Sequence, residues 1–73
     1  MHFRDLFSHV KSISVDEAQR LIEERQPGSY TLVDVREPAE YEAGHIPGAL
    51  FIPLSDLPDR LEEIDSSKPV FAY

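Results

Sequence analysis

The run Leu32-Val33-Asp34-Val35-Arg36-Glu37-Pro38-Ala39-Glu40-Tyr41-Glu42-Ala43-Gly44-His45-Ile46-Pro47-Gly48-Ala49 constrains this chain more than any other stretch. It opens apolar and β-branched, turns charged, passes a proline where a first helical turn tolerates one, and stops at a glycine. The spacing predicts a strand, a short helix over about 38–43, and a second strand entered through Pro47-Gly48. From Tyr30 to Val35 the apolar character is nearly continuous. That is how a strand covered on both faces reads, as in a parallel sheet.

The flanking segments extend the alternation. Ser14-Val15-Asp16-Glu17 fits a capping box, with the Ser14 hydroxyl accepting from the Glu17 N–H and the Glu17 carboxylate reaching back. Asp16 and Glu17 also suit the positive end of a helix dipole. Val15, Ala18, Leu21 and Ile22 fall on one face of a helix over about 15–25, which Pro27-Gly28 ends. Ile13 is expected in a short edge strand before it. Ala49–Ile52 reads as a strand. Ser55 or Asp56 can cap a third helix with Leu57, Leu61 and Ile64 as its buried stripe. Ser66-Ser67 is a polar connection, and Pro69 opens a last strand through Tyr73.

Strands alternating with helices predict an α/β fold, a doubly wound parallel sheet flanked by helices and incomplete in this chain. Val70 and Phe71 are left with no following helix to cover them. Residues 1–12 form an N-terminal extension and 13–73 a partial domain. In the extension Phe3, Leu6, Phe7 and Val10 recur at helical spacing. A segment packed on the domain edge is the expectation, and a helix that docks a partner is the alternative.

Composition removes several functions. Fourteen acidic against seven basic residues give a net charge of −7, a field that repels a phosphate backbone, so no nucleic-acid partner is expected. With no cysteine, the chain has no disulfide and no cysteine-based zinc site. No apolar run approaches a membrane span, and Asp5 interrupts the N-terminal stretch where a secretory signal needs its apolar core. A cytoplasmic protein without a membrane partner or a cofactor is expected.

Four residues stand out as near a site or holding one together. Asp34 closes a central strand at the carboxyl end, where open α/β sheets place ligands. Arg36, two residues on, points to the same side and can offer a fork of N–H groups. Together they read as an ion pair that fixes the turn; shaping an anion-binding loop is the alternative. Glu40 and Glu42 sit two apart on a helix and do not face each other, which argues against paired-carboxylate catalysis. Tyr41 is expected to pack its ring under the short helix. His45, alone beside a glycine turn, reads as structural, and no metal ligand set surrounds it.

The strand with Asp34-x-Arg36 and the Gly44-His45-Ile46-x-Gly48-Ala49 element together resemble the rhodanese-like domain family, from about Ile13 to Tyr73. The resemblance implies a sulfurtransferase that moves sulfane sulfur through a cysteine persulfide. The family's catalytic cysteine follows the strand that here ends at Tyr73, so no catalytic residue lies in this chain and the nucleophile is expected immediately after it. A small sulfur donor such as thiosulfate, or a persulfide carrier, is the implied partner, with a protein as an alternative acceptor. Glu40, immediately before the tyrosine, is implied to face the pocket. The family also includes non-catalytic binding or regulatory modules, and a related lineage of phosphatases and arsenate reductases. These stand as the two alternative functions.

Overall fold

The computed structural model describes residues 10–65 and 67–73. Four strands, β1 (Val10–Ser12), β2 (Thr31–Asp34), β3 (Leu50–Phe51) and β4 (Val70–Ala72), form one all-parallel sheet in the order β1-β4-β2-β3. The helices are α1 (Val15–Glu24) and α2 (Pro38–Ala43). The doubly wound α/β expectation holds, with elements on both faces of a parallel sheet.

Local chemistry explains the helix ends. Ser14 Oγ accepts from the Glu17 N–H at 3.1 Å, and Glu17 Oε1 accepts from the Ser14 N–H at 3.2 Å, so the capping box is present. Helix α2 begins at Pro38 and ends at Gly44, whose φ of +152° lies where side-chain-bearing residues are strained. The edge strand falls at Val10–Ser12 rather than on Ile13. Ile13 follows it and donates its backbone N–H to the Ala72 carbonyl at 2.8 Å.

Alternation along the strands divides the core. Leu32, Phe71 and Tyr73 face α1 and pack with Ala18, Leu21 and Ile46. Val33 and Val70 face the other way and pack with Ile52 and Leu57. Val70 and Phe71 are therefore both buried, correcting the expectation that they lack cover. Phe71 lies among the α1 side chains, and Val70 has Leu57 with Leu61 and Ile64 beside it.

Three further expectations are revised. The third helix is two short 3-10 segments, Leu54–Asp59 and Leu61–Glu63, without a side-chain cap from Ser55 or Asp56. Pro58 lies inside the first segment; it brings no N–H and crowds the preceding turn, so a regular α-helix is not sustained. The backbone closes i to i+3 instead, as in Arg60 N–H to the Leu57 carbonyl at 3.1 Å. Val15 is not on the buried face, being 45% exposed at the first turn of α1. In the N-terminal extension Val10 belongs to a strand, and Phe3, Leu6 and Phe7 lie outside the described residues. No helix among the described residues is long and apolar enough to cross a membrane.

Candidate functional site

The carboxyl ends of β2 and β4 meet the loop that leaves α2. Asp34 is fully buried there and every one of its bonds is charge-assisted or local. Arg36 Nε donates to Oδ1 at 3.1 Å, Nη2 donates to Oδ2 at 3.0 Å, and the Arg36 backbone N–H donates to Oδ1 at 3.0 Å. A two-residue separation on an extended chain makes this fork possible, because both side chains leave the same face. Arg36 Nη2 also donates to the Gly44 carbonyl at 2.8 Å and so ties the turn to the end of α2.

The guanidinium lies 5.4 Å from the centre of the Tyr73 ring. The Tyr73 hydroxyl in turn accepts from the Ile46 backbone N–H at 3.3 Å. Sheet register brings these groups together: the Tyr73 N–H donates to the Val33 carbonyl at 3.1 Å, and the Val35 N–H donates to the Tyr73 carbonyl at 2.9 Å.

These contacts set the ionisation. Burial pushes the Asp34 carboxyl up, but hydrogen bonds from the Arg36 side chain, its backbone N–H and the Tyr73 hydroxyl outweigh it and hold the pKa below the ordinary value. Hydrogen bonding to Asp34 holds Arg36 firmly protonated. Burial raises the Tyr73 phenol, with the Asp34 carboxylate adding to it. A carboxylate kept ionised and a phenol kept neutral describe a fixed scaffold rather than groups poised to exchange protons near neutrality.

Tyr41 is sandwiched rather than packed under α2. Its ring stacks on His45 at 3.8 Å between centroids and on Phe51 at 4.1 Å. His45 Nδ1 lies 2.9 Å from the Tyr41 carbonyl, which can only accept, so Nδ1 carries the proton. Glu40 is exposed, and its Oε1 accepts from the Glu37 N–H at 3.1 Å. Asp34, Arg36 and His45 thus share one neighbourhood, while the Glu40 carboxylate caps the first turn of α2. Among the described residues no group of three or more His, Cys, Asp or Glu side chains could hold a metal ion.

Two features escape a reading of the sequence. One is Tyr73 as a structural member of the site; an aromatic at the carboxyl end of a central strand is its only trace. The other is a cleft of about 270 Å³ between α1 and the Gly44–Pro47 loop, with Arg36, His45 and Tyr73 in its lining.

Comparison with known proteins bears on this geometry. The family model described as rhodanese-like domain matches residues 14–73. Over 53 residues the chain is 51% identical to the HTH-type transcriptional regulator Rv0324 of Mycobacterium tuberculosis, covering 73% of this chain and 24% of that protein. It is 60% identical over 42 residues to the uncharacterized protein YqhL of Bacillus subtilis, covering 58% and 33%. It is 38% identical over 65 residues to the thiosulfate:glutathione sulfurtransferase of Saccharomyces cerevisiae, covering 86% and 46%. The chain thus spans less than half the length of these curated relatives. No solved structure matches it.

Proposed function

The chain belongs to the rhodanese-like domain family, and we propose that its protein is a sulfurtransferase that carries sulfane sulfur as a cysteine persulfide. One observation carries the reading: the family match spans residues 14–73 and its relatives include a thiosulfate:glutathione sulfurtransferase. On this reading the nucleophile is a cysteine directly after Tyr73; the 73 residues themselves contain none. There it would stand at the carboxyl end of a central parallel strand, where α/β sheets bind ligands.

In this reaction the thiolate attacks the outer sulfur of thiosulfate. A new S–S bond forms, the thiosulfate S–S bond breaks, and sulfite leaves with the electron pair. An acceptor nucleophile then takes the outer sulfur and returns the thiolate. Backbone N–H groups of the loop after the cysteine would favour the thiolate.

Asp34, Arg36 and His45 are scaffold at the rim of this site. Glu40 biases the pocket among anions by its charge. Reversing that charge and leaving the KM for thiosulfate unchanged removes the role from Glu40. Thiosulfate-to-cyanide sulfur transfer by the full-length protein tests the whole proposal, and a folded, cysteine-bearing protein that makes no thiocyanate refutes it.

A second reading has its own support. A relative named as a transcriptional regulator supports a non-catalytic binding or regulatory module. A protein whose residue after Tyr73 is not cysteine selects that reading.

A further inference from the structure

The backbone of Tyr73 is gripped along one edge. Toward β2, its N–H donates to the Val33 carbonyl at 3.1 Å and its carbonyl accepts the Val35 N–H at 2.9 Å. Toward β1 the ladder stops one residue earlier. Ser12 pairs with Ala72, and the Ile13 N–H on the Ala72 carbonyl is the last bond on that side among the described residues. Two bonds to a single neighbour leave a strand end free to rock about that edge.

The side chain removes this freedom. Alternation places Tyr73 on the α1 face of the sheet, with Leu32 and Phe71. Asp34 and Arg36 continue that face beyond Leu32, and the Arg36 guanidinium lies 5.4 Å from the ring centre. At the far end of the ring the hydroxyl accepts the Ile46 N–H at 3.3 Å. The loop that carries Ile46 is itself held, since Arg36 Nη2 donates to the Gly44 carbonyl at 2.8 Å and Asp34 holds Arg36 in turn. These contacts close a circuit from the end of β2, through the loop, to residue 73. Ile46 and Tyr73 are both buried, so their bond forms in a low-dielectric setting where it is stronger than in water.

We propose that Tyr73 is a positioning residue for the sulfur-carrying nucleophile: its hydroxyl, anchored on the Ile46 N–H, fixes the direction in which the chain leaves β4 and so where the next side chain stands. The Gly44-His45-Ile46 loop is the fixed point of the anchor. The proposal deepens the sulfurtransferase reading and rests on it, because that reading puts the cysteine directly after Tyr73. The phenol is kept neutral by burial, so it contributes geometry and no charge. The thiolate must meet the outer sulfur in line with the S–S bond that breaks, and a misplacement of about 1 Å costs on the order of a hundredfold in rate.

Single-turnover loading of the full-length protein with thiosulfate separates position from binding. Tyr73→Phe removes one oxygen. The limiting rate of sulfur uptake should fall about tenfold to a hundredfold. The half-saturating thiosulfate concentration should stay at the parental value, and so should the thiol pKa, read from the pH dependence of alkylation by iodoacetamide. Assays are run where circular dichroism shows both proteins fully folded, so lost stability alone moves none of these. Tyr30→Phe, the same deletion on an aromatic just before β2, should load sulfur at the parental rate.

A parental limiting rate in folded Tyr73→Phe overturns the proposal. So does a loss confined to thiosulfate affinity or to the thiol pKa, which would make Tyr73 a binding or electrostatic group. Amide exchange on the unsubstituted protein checks the anchor if the variant does not fold. The Ile46 N–H should exchange about tenfold or more slowly than the His45 N–H, which has no backbone acceptor among the described residues. Equal exchange rates overturn the proposal. Failure of the sulfurtransferase reading looks different: the parent itself takes up no sulfur, and both fall together.

Discussion

The Tyr73 hydroxyl accepts the Ile46 backbone N–H at 3.3 Å, so the residue that follows β4 is fastened to the Gly44–Pro47 loop. Both residues are buried. Tyr73→Phe leaves the Ile46 N–H without its acceptor. A loss of about 1–2 kcal/mol is expected, read as a lower urea midpoint at unchanged slope. An unaltered midpoint would show that the bond contributes nothing.

Asp34→Ala strips Arg36 of its partner and empties a fully buried polar position. Breaking a buried pair costs about 3–5 kcal/mol, and the partial exposure of Arg36 lowers that to about 2–3 kcal/mol. Stability should fall by more than catalysis does once the variant is assayed below its melting temperature. A variant with the parental melting temperature and abolished sulfur transfer would make Asp34 catalytic instead.

The lowered Asp34 pKa makes stability depend on acid. Its folded-state pKa is below the unfolded reference of 3.8, so the unfolded chain binds the proton more readily. The contribution is complete above that value, declines as pH falls through it, and vanishes below the folded pKa. Urea titrations from neutral pH down to the acid limb should therefore show a stability slope that Asp34→Asn reduces. An Asp34→Asn slope equal to the parent's would assign the acid sensitivity to other groups, of which Glu17, Glu63 and Asp65 also have lowered values.

Gly44 turns with φ at +152°, and an added Cβ would meet nothing within 4 Å. Gly44→Ala therefore isolates backbone strain from clash. A cost of about 1–3 kcal/mol is expected from calorimetric or chemical unfolding. Loss well beyond that would mean that displacement of the Gly44 carbonyl also releases Arg36.

Much of this was legible because the deciding forces act within a few residues. Ser14 with Glu17 and Asp34 with Arg36 bond over two or three residues, and Pro38 and Gly44 mark the two ends of α2, all of which the sequence displays. The Leu57, Leu61 and Ile64 stripe predicts a third α-helix, but Pro58 within it breaks the regular turn into short 3-10 segments. Val15 has the right periodicity for burial, but only the path of α1 past the sheet end shows that it stays 45% exposed among the described residues. The cleft depends on residues 15–23 approaching residues 44–47, and the Tyr73–Ile46 bond spans 27 positions. Neither leaves a local signature.

Intact-mass spectrometry of the full-length protein after incubation with thiosulfate tests the central claim most directly. The account predicts one added sulfur atom, mapped by peptide fragmentation to a cysteine directly after Tyr73 and removed by cyanide. A folded protein that gains no sulfur, or gains it at another residue, would contradict it.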